Sequence, residues 1–106
     1  MRYISIDIST SGDTTIYPFV AGRFFRVLSY TLTSDTAMTF KWKSGTNDIS
    51  GAMSIAASGS IVVPFGPISP LGLIGNLQTN FNEDLIIETS SAGNLTGHLV
   101  LIESVA

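Results

Sequence analysis

Polar and apolar residues alternate with a period of two through much of this chain. Met38, Phe40 and Trp42 point to one side of an extended segment, and Thr39, Lys41 and Lys43 point to the other. This is the pattern of a half-buried antiparallel strand. Ser44-Gly45-Thr46-Asn47-Asp48 interrupts it with residues that accept left-handed backbone angles or bond their own main chain. A new short alternation runs over Ile49-Ser50-Gly51-Ala52-Met53, a second break falls at Ala57-Ser58-Gly59, and Ile61-Val62-Val63 stops at Pro64, which cannot donate to a ladder. Strand, turn, strand, turn and strand are predicted within residues 38–65.

The same pattern recurs on both sides of this stretch. Tyr3 to Ile8 reads as a first strand, with Ile4, Ile6 and Ile8 on one face and Tyr3, Ser5 and Asp7 on the other. Ser9 to Thr15 reads as a polar linker, and Ile16-Tyr17-Pro18-Phe19-Val20 as a short apolar piece that Pro18 confines to an edge or a bend. Residues 1–22 are thus expected to be an N-terminal strand or arm, folded onto the domain or pairing with a neighbour, and residues 23–106 a single β-sandwich domain. Arg23 to Leu32 is aromatic and β-branched and should form a hairpin with the Met38 strand through Thr33-Ser34-Asp35-Thr36. In that strand Phe24, Arg26, Leu28, Tyr30 and Leu32 share a side, so Arg26 is expected at an edge with its stem packed and its head in water.

Gly66 to Gly75 interleaves Pro67, Pro70, Gly72 and Gly75 with Ile68, Leu71, Leu73 and Ile74. An apolar loop of this kind either plugs an end of the sandwich or meets a partner. Strands follow at Leu77–Phe81 and Leu85–Thr89, around the turn Asn82-Glu83-Asp84, and at Thr96–Glu103. No stretch carries helical spacing. Seven or eight short strands with regular turn signals predict an all-β fold: one antiparallel β-sandwich, of which a jelly roll is the expected form.

Composition changes this picture in one respect. Charged residues are 12% of the chain, about half the usual share, while hydrophobic residues are 44% and mean hydropathy is +0.39. Some apolar surface is therefore expected to meet another subunit or a larger assembly. Ile4, Ile6, Ile8, Tyr17, Phe19, Ile68, Leu71, Leu73 and Ile74 are the candidate interface residues. The first 43 positions hold all five bases and three acids, and the remainder holds five acids, for a net charge of −3. That balance argues against nucleic acid, whose phosphates need clustered bases. No cysteine is present, no apolar run approaches a membrane span, and Ser5 and Asp7 interrupt any signal-peptide core.

The residues Lys43-Ser44-Gly45-Thr46, Ile49-Ser50-Gly51-Ala52-Met53, Ile55-Ala56-Ala57, Gly59, Ile61-Val62, Pro64-Phe65 and Thr96-Gly97-His98-Leu99-Val100 resemble small β-sandwich virion proteins of tailed bacteriophages, some of which are capsid decoration, or cement, proteins. The resemblance covers most of the chain after about Val27, through turn glycines and core positions. After Pro64-Phe65 this chain departs from the Asp-Gly-Trp-Phe-like connection of such proteins. The resemblance implies a homotrimer on the major capsid protein, at the capsid surface of a virion made in the host bacterial cytoplasm, with N-terminal extensions that grip adjacent subunits.

Catalytic chemistry finds little support, and no enzyme is expected. His98 is the only histidine, which leaves no multi-histidine metal site; it is expected to face inward or to an interface. No Gly-x-Ser-x-Gly elbow is present, and Ala57-Ser58-Gly59-Ser60 reads as a turn. Glu83-Asp84 with Glu88 is better read as solvated charge than as a glycosidase pair, and Asn80-x-Asn82-Glu83-Asp84 lacks the spacing of a calcium loop. No catalytic residue, metal or cofactor is expected. The alternative function is a phage tail or neck component, or a carbohydrate- or receptor-binding module using Tyr17, Tyr30 and Trp42 as aromatic platforms. The alternation that groups Trp42 with Met38 and Phe40 favours a core position for it.

Overall fold

The computed structural model describes residues 2–63 and 77–104. Among the described residues ten strands follow in chain order: β1 (Arg2–Ile8), β2 (Gly12–Tyr17), β3 (Phe24–Ser34), β4 (Met38–Ser44), β5 (Asn47–Asp48), β6 (Met53–Ile55), β7 (Gly59–Val63), β8 (Leu77–Gln78), β9 (Leu85–Thr89) and β10 (Leu95–Ser104). They form two sheets, one ordered β1-β10-β3-β7 with β8 also on β3, the other ordered β2-β9-β4-β5 with β6 also on β4. Every pairing is antiparallel. The pairs β1 with β10, β2 with β9, β3 with β7 and β4 with β6 are nested one inside the next. A long hairpin rolled so that successive pairs alternate between two sheets is a jelly roll, the form expected from the sequence.

Alternation decides which side chains meet between the sheets. Met38, Phe40, Trp42 and Ser44 face inward from β4 and Leu85, Ile87 and Thr89 from β9, opposite Ile6, Ile8, Leu95, Leu99 and Leu101 of the first sheet; all are buried. Rings lock the layers: Tyr30 and Trp42 have centroids 5.0 Å apart, and Tyr17 meets Phe25 edge to face at 4.8 Å. Burying an aliphatic or aromatic side chain of this kind stabilises by about 1.5–3 kcal/mol.

Three local expectations change. Residues 1–22 take the folded-on alternative of the two expected, β1 and β2 being edge strands, one in each sheet, but β2 begins inside the segment expected to be linker. The Met38 strand does not form a hairpin with the strand before it, because residues 35–37 carry the chain from β3 in one sheet to β4 in the other. Leu77–Phe81 contributes only the two residues of β8.

The phase of β3 also slips. Its ladder with β10 is in register from Ser34↔Leu95 to Ser29↔Val100 and resumes at Val27↔Leu101, leaving Leu28 as an extra residue. A bulge reverses the side to which later residues point. Tyr30 and Leu32 therefore face the core together with Phe25 and Val27, while Phe24 and Arg26 face outward. This removes the conflict of an arginine on the core side. Gly97 of β10 has φ +153°, and a Cβ there would lie 1.9 Å from the Thr31 carbonyl oxygen. Only glycine lets β10 and β3 approach this closely.

Candidate functional site

The candidate interface residues separate on this frame. Ile6 and Ile8, each 2% exposed, are core side chains and cannot also meet a neighbour. Ile4 is half-buried against the core. Tyr17 packs on Phe25 and donates its hydroxyl to Glu103 Oε1 at 2.6 Å. Phe19 is 54% exposed in the connection after β2. Ile68, Leu71, Leu73 and Ile74 lie outside the described residues.

Glu103 ties three strands at one corner. Its carboxylate accepts from Tyr17 of β2 and faces Arg2 Nε of β1 at 3.3 Å. The tyrosine hydrogen bond, with Arg2 and Arg23 nearby, holds the Glu103 carboxyl below its ordinary pKa, and the same bond raises that of Tyr17.

The acidic turn is structural. Ser44 and Asn80 donate to Glu83 Oε1 at 2.6 and 2.9 Å, and the Ser44 hydroxyl accepts the Asn80 amide. These donors, with Asn47, hold the Glu83 carboxyl below its ordinary pKa, Ser44 contributing most. Asp84 Oδ1 accepts from the Phe19 amide and Asn82 Oδ1 from the Gly22 amide. Glu83, Asp84 and Asn82 thus fasten three connections at one end of the sandwich. Glu88 faces elsewhere, on Lys41. Among the described residues no group of three His, Cys, Asp or Glu side chains could hold a metal ion.

Outer faces of the two sheets differ in chemistry. On the second sheet Lys41 Nζ lies 3.1 Å from Glu88 and 3.2 Å from Asp48, and Lys43 Nζ lies 3.2 Å from Asp13. These partners raise the Lys41 pKa, Glu88 first. The alternation showed both lysines pointing outward, but their partners on β9, β5 and β2 become visible only once the strands are paired. Beside Lys41 is a groove of about 350 Å³ lined by Thr39, Phe40, Lys41, Ala52, Glu88, Thr89 and Ser90. Its polar groups are largely committed: Lys41 to carboxylates, Thr89 Oγ1 to the Thr10 carbonyl, and Ser90 Oγ to the Thr39 amide.

The outer face of the first sheet carries almost no charge. Cross-strand rows place Asp7, Thr96, Thr33 and Ser60 side by side, then Ser5, His98, Thr31 and Val62, then Tyr3, Val100 and Ser29. Tyr3 is 75% and Val62 65% exposed. His98 is exposed in the second row, so of its two expected positions, inward or at an interface, it does not take the inward one, because Leu95, Gly97 and Leu99 take the inward positions of β10. Farther down the same face Leu28, Val100 and Phe24 are buried. Of the aromatic platforms of the alternative reading, Trp42 is 0% and Tyr30 5% exposed, and Tyr17 is half-buried against Phe25.

The chain is thus an antiparallel jelly roll with one ion-paired outer face and one sparsely charged outer face. No family model matches it, and no curated protein does. Among solved structures, the C-terminal domain of EclA, described as a sugar-binding protein, is similar over 97% of this chain and 77% of that one, with 13% identity and a TM-score of 0.40.

Proposed function

We propose that this chain is a structural subunit that self-associates and covers the capsid surface of a tailed-phage virion, stabilising the shell built by the major capsid protein. The observation that carries the reading is the outer face of the β1-β10-β3-β7 sheet, where Tyr3 and Val62 stand 75% and 65% exposed among hydroxyl side chains. Flat, weakly charged surface of this kind is inexpensive to dehydrate and marks protein contact more often than catalysis. The low charge of the whole chain and its resemblance to phage decoration proteins point the same way. Each subunit would act by burying area across a junction in the shell, without chemistry.

Light scattering on the purified protein across a tenfold dilution tests self-association. The expected result is a constant mass of about 34 kDa, three times the 11.3 kDa chain; a mass of one chain at every concentration would overturn it. Shell binding is tested by co-sedimentation of the labelled protein with purified tailed-phage heads. A label left in the supernatant with every head would remove that part of the proposal.

A further inference from the structure

Two polar hydrogens in the core are poorly answered by the chain. Trp42 is 0% and Tyr30 5% exposed, with ring centroids 5.0 Å apart. Buried indole and phenol groups ordinarily find an oxygen to bond, and a donor left without one pays its full desolvation cost. The Trp42 Nε1 has no hydrogen-bond acceptor among the described residues. The Tyr30 hydroxyl is answered by a sulfur, Met53 Sδ at 4.0 Å, and a thioether sulfur is a weak acceptor. Burial raises the Tyr30 pKa, and the nearby Trp42 indole offsets part of that rise. Indole, hydroxyl and sulfur thus stand in sequence, two donors leading to one soft atom.

That atom is within reach of solvent. Met53 begins β6, a strand of three residues that pairs with β4 through Phe40↔Met53 and with no other strand among the described residues. Its side chain packs against the core but is only half-buried. Met38, by contrast, is 6% exposed, and Met1 lies outside the described residues. The chain has no cysteine to intercept an oxidant before it meets a methionine.

We propose that Met53 is an oxidation site for peroxides, and that the buried Tyr30 and Trp42 donors receive the sulfoxide it becomes. A sulfur lone pair attacks one peroxide oxygen, the S–O bond forms as the O–O bond breaks, and the second oxygen leaves as water. Sulfur gives up two electrons and the peroxide takes them. A sulfoxide usually disrupts a core, because a flexible apolar side chain turns polar. At Met53 the change supplies what the site lacks, an oxygen acceptor beside donors that have none. The unbranched side chain has enough rotatable bonds to turn that oxygen toward the Tyr30 hydroxyl. The oxidised chain therefore keeps its fold, and the modification is of the kind that sulfoxide reductases reverse. None of this depends on whether the chain self-associates.

The test treats the folded chain with hydrogen peroxide and follows it by peptide mass spectrometry and urea denaturation. The Met53 peptide should gain one oxygen several-fold faster than the Met38 peptide, and oxidation should leave the unfolding constant of the wild type within about threefold. In Tyr30→Phe the same oxidation should raise the unfolding constant by about tenfold more than in the wild type, because the sulfoxide loses its nearer donor. Equal oxidation of Met53 and Met38, or an equal cost with and without the Tyr30 hydroxyl, would overturn the proposal. If Tyr30→Phe fails to fold, the emission of Trp42 decides. A red shift on oxidation that Met53→Leu abolishes is the expected result, and a spectrum that oxidation leaves unchanged would overturn the proposal.

Discussion

The two outer faces come from the same alternation, yet one is closed and the other open. On the β2-β9-β4-β5 face every charge has its opposite within 3.3 Å, and Ile86, between Thr15 and Lys43, is buried. That face has satisfied its own electrostatics and offers a partner little. The β1-β10-β3-β7 face carries hydroxyls, an exposed valine and tyrosine, and Asp7 and Arg26, neither of them ion-paired among the described residues. Sequence period alone makes both faces polar; what separates them is whether their charges are ion-paired across the strands.

The comparison can be broken most severely at the backbone of the open sheet. Gly97→Ala puts a Cβ on the Thr31 carbonyl, so β10 must leave β3. The expected loss is about 3 kcal/mol or more, or no folded protein at all, read by urea denaturation. Acid should act next, on the corners and turns that join the sheets. The Asp35, Glu83 and Glu103 carboxyls have folded pKa values below their ordinary ones, through bonds from the Asn94 amide, Ser44 and Tyr17 respectively. Their contribution is complete above the ordinary carboxylate range, roughly pH 4 to 4.5, and is lost as pH falls through the lowered folded values. The melting temperature should be flat near neutrality and fall below that range. The smallest effects separate the faces directly. Lys41→Met strands Glu88 and Asp48 and should lower the melting temperature by a few degrees, less at high salt. Val62→Ser should leave monomer stability within about 0.5 kcal/mol while reducing association. Equal melting losses for the two would erase the distinction between a face used for folding and a face used for docking.

Legibility followed the range of the interactions. The Met38–Ser44 alternation and the β-branched Ile61–Val63 run are local, and β4 and β7 lie where they were expected. β2 was hidden because Gly12-Asp13-Thr14-Thr15 has no apolar alternation to show; as an edge strand of its sheet it needs little. The connection from β3 to β4 looks the same locally whether it turns within a sheet or crosses between two. The bulge at Leu28 adds one residue without a turn signal, so it placed Arg26 on the wrong side until the ladder with β10 fixed the phase. Of the candidate surface, the outward lysines were visible, but their partners were not. Asp13 and Lys43 stand 30 residues apart, and only the fold shows which charges are answered.

Nested pairing also sets an order in time. Ile4 finds Leu99 and Ile8 finds Leu95 only at the outermost turn of the roll, so β1 leaves the ribosome long before its partner exists. At about 5–20 residues per second that interval is roughly 5–20 s, during which Ile4, Ile6 and Ile8 form an uncovered edge. Folding dominated by such distant pairings is slow. The inner pairs, β4 with β5 through Ser44 and Asn47 and then β4 with β6, are the ones that can close first. Refolding should therefore start there and finish when β10 slides between β1 and β3, the step that decides whether a nascent chain folds or aggregates.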